Sequence, residues 1–320
     1  MPHAAFSLPA DDGLALQCQA WQTAQPPKAV IVLVHGMAEH IGRYAELGLA
    51  LNEAGIALYG HDQRGHGQTA QAATLGLFAP EDGWGKVVGD VQTVARYVAG
   101  QHPQTPLFLL GHSMGSYIAQ AHLMHSRFAW AGAVLSGSNY QPAGLYKVAA
   151  AIATLEAWRQ GPQGRSALID WLSFGNFNKA FRPNHSAFDW LSRDPAAVER
   201  YIADPLCGFR CTNRFWQDLL GGLQQISNRA NLARIAPALP ILIIGGECDP
   251  VSAGKRLKDL RDALAGAGTA DIELLLYAGA RHELFNETNR AQVISDLLAW
   301  LQRRMNQPGP HATVIRPQRN

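Results

Sequence analysis

A single serine between two glycines is the first candidate for chemistry in this sequence. It lies in Gly-His-Ser-Met-Gly, residues 111–115, after the apolar run "PLFLL" and before the helix-like stretch "YIAQAHLMH". A nucleophile at the tip of a tight strand-to-helix turn has a strained backbone, and glycines two residues away on either side give that turn room. The pattern therefore predicts that Ser113 is a nucleophile exposed at the start of a helix. The alternative is a tight turn with a purely structural role.

The base that would activate Ser113 is predicted from chain order. A serine needs a base that is itself oriented by an acid, and at this kind of turn the order along the chain is serine, acid, histidine. Five of the 12 histidines follow Ser113, and His282 in "ARHELFNE" comes after the last predicted strand, so we expect it at the same sheet edge. Its alternative role is to cap the following helix. The other four lie on the helix after the turn, in an insertion or in the C-terminal tail: His122, His125, His185 and His311.

The acid and the oxyanion-binding groups are predicted to follow neighbouring strands. "PILIIGGECDPVS" ends a strand with two carboxylates, and Asp249 is preferred because the Pro and Val that follow it form a turn that would fix it. Glu247 is the alternative acid. A tetrahedral intermediate needs two backbone N–H donors, which we expect from Met114, next after the nucleophile, and from Met37 in the loop after the strand "VIVLV".

These residues require a sheet whose strands end at one edge, and the hydrophobic pattern predicts one. Strands are predicted within 29–36, 56–67, 106–111, 130–138, 240–246 and 271–277. Helices are predicted at 44–55, 84–103, 114–126, about 253–265 and 287–304. This alternation is typical of an α/β fold with a mostly parallel sheet and helices on both faces. "FSL" and "LALQCQAWQ" around the turn "PADDG" predict an antiparallel hairpin at the sheet edge.

Residues 140–230 interrupt the alternation. They hold four of the eight tryptophans and six of the eleven phenylalanines and show no strand pattern. We expect a helical cap with its own core, some of whose apolar surface lines a substrate pocket. The candidate lining is one face of the helix from Gly144 to Gln160, with Leu145, Val148 and Ile152. The α/β core is then predicted at 1–139 and 231–305, with a flexible tail at 306–320.

Composition excludes several classes of protein. The chain has 320 residues, 16% of them charged, and a net charge of +2, without the basic stripe that nucleic-acid binding needs. We expect no signal peptide and no membrane span, because the N-terminus lacks a charged segment before an apolar one and no apolar run is long enough. Four cysteines without paired spacing indicate reduced thiols in a cytoplasmic protein and no zinc site.

Five motifs together resemble a known family. "HGMAEHIGRY", "HDQRGHGQT", "GHSMG", "GGECDPVS" and "ARHELFNE" occur in the order seen in the α/β-hydrolases related to monoacylglycerol lipase and bacterial lysophospholipases, a serine-aminopeptidase-like family. By this resemblance, Glu39 and Arg43 match positions that face the alcohol end of a monoglyceride. The alternative for these two residues is an ion pair on the turn and first helix.

The resemblance implies hydrolysis of carboxylic esters, of the monoacylglycerol or lysophospholipid type, through an acyl-serine. The alternatives are a small-ester carboxylesterase, an aminopeptidase or amidase, and a non-catalytic ligand-binding protein with this fold. We expect no metal or organic cofactor. The expected partner is a small-molecule or lipid ester, with no nucleic acid and at most peripheral contact of the cap with a membrane. The oligomeric state stays open.

Overall fold

The computed structural model describes residues 3–252 and 255–305, so the predicted tail at 306–320 lies outside the described residues. The strands are β1 (His3–Pro9), β2 (Ala15–Trp21), β3 (Ala29–Val34), β4 (Ile56–His61), β5 (Leu107–His112), β6 (Gly132–Ser136), β7 (Ile241–Gly246) and β8 (Ile272–Tyr277). They form one sheet in the order β1-β2-β4-β3-β5-β6-β7-β8. The β1–β2 and β2–β4 pairs are antiparallel and the other pairs are parallel. The predicted α/β fold and its edge hairpin are confirmed.

The sequence explains why the central strands lie where they do. Every residue of β3, β4, β5, β6 and β7 is buried, as expected for β-branched and aliphatic runs covered by helices on both faces. The carboxyl ends of parallel strands meet at one sheet edge. Met37, Ser113, Asp249 and His282 follow β3, β5, β7 and β8 respectively, so the topology carries all four to that edge.

The helices follow the predicted pattern with shifted ends. They are α1 (Ala45–Glu53), α2 (Gly83–Gln101), α3 (Met114–His125), α4 (Ala143–Gln160), α5 (Ala167–Phe174), α6 (Pro195–Ala203), α7 (Asn213–Ile226), α8 (Arg229–Leu232), α9 (Arg256–Ala267) and α10 (Arg290–Met305). The last helix begins at Arg290 rather than at the predicted residue 287. The reason is local, because the fully buried Glu287 accepts hydrogen bonds from the backbone N–H groups of Arg281 and Arg193 and so holds a loop in place.

The insertion is helical and shares buried side chains with the rest of the protein. All of residues 140–230 are described, and they contain α4 to α7 and the start of α8 without a strand. The buried side chains of α7, among them Phe215, Trp216 and Leu219, belong to the same hydrophobic cluster as the sheet and the helices α2 and α3. Helix α7 thus packs the cap onto α2 and α3, and the prediction that the cap has a core of its own stays a prediction.

Candidate active site

Ser113 lies in a strained turn between β5 and α3. Its φ of 50° and ψ of −122° fall where residues other than glycine are rare. A Cβ placed on Gly111 would lie 2.7 Å from the Ser116 Cα, and one on Gly115 would lie 2.5 Å from the His35 carbonyl oxygen, so neither position has room for a side chain. The Ser113 N–H donates to the Ser136 carbonyl oxygen at 2.8 Å and ties the turn to β6. The turn has the geometry that the glycine spacing predicts.

His282 and Asp249 are in direct contact. His282 Nδ1 lies 3.0 Å from Asp249 Oδ2, and both side chains are at most 3% exposed. The second oxygen, Asp249 Oδ1, accepts from the Val251 N–H at 2.8 Å, which fixes the carboxylate as the sequence predicts. Burial alone would disfavour the imidazolium, but the Asp249 carboxylate outweighs this effect and raises the pKa of His282. Glu247, the alternative acid, is exposed.

The His282 ring lies over the residue that precedes Ser113. Its centroid is 4.9 Å from that of His112, and a Cβ placed on Gly137 would lie 3.0 Å from His282 Cε1 and 3.2 Å from His112 Cε1. The structure thus places the His282–Asp249 pair against the residue next to Ser113. His122, in contrast, is buried, and its Nε2 accepts a hydrogen bond from the Trp130 indole at 3.2 Å.

The loop that carries Met37 is fixed from both sides. The Gly36 N–H donates to Glu39 Oε1 at 2.5 Å, and the Ala38 backbone has a positive φ of 53°. From the cap, the Gly208 N–H and the Tyr201 hydroxyl donate to the Ala38 carbonyl oxygen at 3.0 and 3.1 Å. Met114, the other predicted donor, is the first residue of α3, where backbone N–H groups have no acceptor within the helix.

Glu39 and Arg43 form an ion pair, the alternative that the sequence leaves open, and a third residue joins them. Arg43 Nη1 lies 2.7 Å from Glu39 Oε2, and the Arg43 guanidinium also makes two bonds, of 2.6 and 2.7 Å, to the Glu283 carboxylate. Burial opposes ionisation of Glu39, but the Arg43 charge together with hydrogen bonds from the Gly36 N–H and the Tyr44 hydroxyl lowers the pKa of this carboxyl. Sequence reasoning missed Glu283, although it adjoins His282, because its partner is 240 positions away.

The cap also supports the His282 loop. The His282 and Glu283 N–H groups donate to the carbonyl oxygens of Trp190 and Leu191 at 3.4 and 2.8 Å, and the Trp190 ring centroid is 5.2 Å from that of His282. The sequence places Trp190 among the four tryptophans of the cap. Its place beside the predicted base depends on the path of the insertion, which hydrophobic pattern does not define.

The predicted acyl-lining residues differ in their surroundings. Leu145 and Val148 are 51% and 62% exposed, whereas Ile152 borders a small apolar cavity of about 60 Å³ between α4, α5 and α7. The buried side chains of α4 are those of Tyr146, Ala153 and Glu156.

One group of side chains among the described residues could hold a metal ion. The ligand atoms of His40, Asp204 and Cys207 lie within 4.8 Å of one another. His40 Nε2 is 2.9 Å from Asp204 Oδ2, so these two side chains already satisfy each other. The absence of a metal cofactor stays a prediction from the sequence.

Comparison with known proteins places this geometry in a family. The sequence profile of the serine aminopeptidase S33 family matches residues 25–289. The chain belongs to this family. It is 30% identical over 294 residues to a monoacylglycerol lipase of Mycolicibacterium smegmatis, covering 90% of this chain and 93% of that protein. It is 29% identical to the human monoglyceride lipase, covering 92% and 88% of the two chains. A solved structure of a lipase in its open form matches with a TM-score of 0.83 and 28% identity over 96% of this chain and all of the other.

The family match includes every residue predicted to take part in chemistry. It begins after the β1–β2 hairpin and ends just before α10, so Met37, Ser113, Asp249 and His282 all lie within it. Separately, none of the helices in the described ranges is both long and apolar enough to cross a bilayer.

Proposed function

We propose that the protein hydrolyses carboxylic esters of the monoacylglycerol type through an acyl-serine intermediate. The observation that carries this proposal is the strained Ser113 turn beside the buried Asp249–His282 pair, in a chain related over 90% of its length to a monoacylglycerol lipase. A lysophospholipid is the second substrate of this type. The cytoplasmic location stays a prediction.

The chemistry follows from the three side chains. His282 takes the proton of the Ser113 hydroxyl as the oxygen attacks the ester carbonyl carbon, and Asp249 holds the imidazole through Nδ1–H and stabilises the imidazolium. The carbonyl oxygen gains the negative charge and accepts from the Met37 and Met114 N–H groups. The intermediate collapses, the C–O bond to the alcohol breaks, and His282 gives its proton to that alcohol. Water then attacks the acyl-serine with His282 as base, which releases the acid and restores Ser113.

The cap supports a lipid substrate. Its outer surface exposes large apolar side chains over α4 and α5: Leu145, Val148, Leu155, Trp158, Leu168, Trp171 and Leu172. Seven such side chains on two consecutive helices exceed the isolated exposures of an ordinary protein surface, and exposed apolar surface of this extent is typical of membrane or ligand contact. We propose that this surface makes the peripheral contact with a lipid interface, and that Leu145, Val148 and Ile152 guide the acyl chain from there. Glu39 and Arg43 lie at the alcohol end.

The test is a Ser113→Ala variant assayed on 1-octanoylglycerol. We expect folded protein with activity reduced by several orders of magnitude, because a nucleophile that acts with its base is not replaced by the remaining groups. A fluorophosphonate probe should label the wild type once, at Ser113, and the exposed Ser7→Ala variant should behave as wild type. Substantial residual turnover, or labelling of another serine, would contradict the proposal. Hydrolysis of aminoacyl p-nitroanilides instead of esters would favour the aminopeptidase alternative.

A further inference from the structure

Three buried charges lie side by side at the predicted alcohol end of the site. The Arg43 guanidinium contacts Glu39 at 2.7 Å and Glu283 at 2.6 Å, and the three side chains are at most 10% exposed. Its centre also lies 4.8 Å above the Tyr201 ring of the cap. Two carboxylates therefore hold one guanidinium, and the cluster has one net negative charge.

This cluster is close to the reacting atoms. A Cβ placed on Gly36 would lie 2.7 Å from Glu39 Oε1 and 3.2 Å from Ser113 Cβ, so these two atoms are less than 6 Å apart. Glu283 is the next residue after His282, and both carboxylates act electrostatically on the His282 ring. The field of the cluster thus reaches the place where an ester would be cleaved.

The positive charge of Arg43 is already balanced by its carboxylate partners. An arginine with a free edge is a strong ligand for phosphate, which it binds through paired N–H groups. Here two N–H groups of Arg43 are bound to the two oxygens of Glu283, and one of these also contacts Glu39. The positive charge of Arg43 also helps to lower the pKa of a further carboxyl group, that of Asp204.

We propose that Glu283 is a specificity-determining residue, which neutralises Arg43 and makes the alcohol end of the site select uncharged head groups over anionic ones. The inference rests on the proposed function, since it concerns the alcohol that an ester cleaved at Ser113 would release. A glycerol head group can exchange hydrogen bonds with these carboxylates. A phosphate monoester would be repelled by the net negative charge, because the charge of Arg43 is already balanced by two carboxylates.

The experiment compares two substrates with the same acyl chain, 1-octanoylglycerol and 1-octanoylglycerol 3-phosphate, below their micellar concentrations. We expect kcat/KM of the wild type to be at least about tenfold higher for the neutral ester than for the anionic one. This is the effect expected of one nearby negative charge in a partly buried site. In Glu283→Gln the shape is retained and the charge is lost, so the preference should shrink about tenfold. The control is Glu53→Gln, which removes one negative charge at an exposed position at the end of α1 and should leave the wild-type ratio unchanged.

The outcomes separate the two proposals. If the wild type hydrolyses both esters within twofold of each other, the inference is overturned without recourse to any variant. If Glu283→Gln lowers kcat/KM for both esters in equal proportion, Glu283 only positions the loop of His282 and the inference is again overturned. If the wild type cleaves neither ester, the proposed function itself fails.

Discussion

Gly115 offers the sharpest structural test of the turn that holds Ser113. Gly115→Ala would place a methyl group 2.5 Å from the His35 carbonyl oxygen and still closer to that of Val34. Both oxygens are backbone atoms at the end of β3. This strand lies between β4 and β5 in the middle of the sheet, so it cannot shift away from the added methyl group. The start of α3 must therefore move away from β3.

The expected cost follows from this geometry. Overpacking of this kind typically costs about 1–3 kcal/mol, and a rigid backbone on both sides places Gly115→Ala at about 3 kcal/mol. A shift of the helix start by about 1 Å would also displace Ser113 and the Met114 N–H, and a displacement of that size can reduce catalysis about 100-fold. Both the free energy of unfolding and kcat/KM should therefore fall.

Gly89→Ala is the matched control. Gly89 lies in the interior of α2, and a Cβ placed on it would meet no heavy atom within 4 Å. The same substitution should raise the free energy of unfolding by about 0.5–1 kcal/mol, because alanine loses less backbone entropy in a helix, and should leave activity unchanged. Urea unfolding and ester hydrolysis measure both quantities. The reasoning is refuted if the free energy of unfolding of Gly115→Ala lies within about 0.5 kcal/mol of the wild-type value, about the resolution of such comparisons, and its activity is unchanged.

Two further predictions concern the base and the acyl chain. Asp249→Asn should reduce kcat strongly but less completely than His282→Ala. It should also move the acid limb of the kcat/KM profile to lower pH, because the carboxylate that raises the pKa of His282 is lost while the neutral imidazole remains the active form. An acid limb at the wild-type pH would rule out this role for Asp249. For p-nitrophenyl esters, kcat/KM should rise from acetate to at least octanoate, about tenfold for two added methylenes, and Ile152→Ala should flatten this rise. A tenfold preference for acetate would limit the protein to small esters. If Ile152→Ala is destabilised but its chain-length profile is unchanged, that side chain belongs to the packing between α4 and α7.

The site could be predicted from sequence where local pattern and topology coincide. The glycines around Ser113 report a strained turn that is confined to five residues, and the strand order then places the loops after β7 and β8 at the same edge. Asp249 was favoured over Glu247 because of the turn that follows it, and in the structure Asp249 is buried against His282 while Glu247 is exposed. Contacts between distant segments carry no such local signal. The bonds of Arg43 to Glu283, and of the Gly208 N–H to the Ala38 carbonyl oxygen, depend on how the cap returns over the sheet.

Helix α4 shows a different limit of sequence reasoning. Its apolar positions have helical spacing and predict a face that lines a pocket, but most of these side chains are exposed and a different side of the helix is buried. The small side chains of Ala149, Ala150 and Ala153 pack towards the hydrophobic core, because small residues let α4 approach α7 closely. Leu155 and Trp158 are left 60% and 82% exposed, which is unfavourable in water at roughly 25 cal/mol per Å² of apolar surface. A surface with this cost is stabilised when it meets an apolar phase, and this is the physical reason to expect the cap to contact lipid.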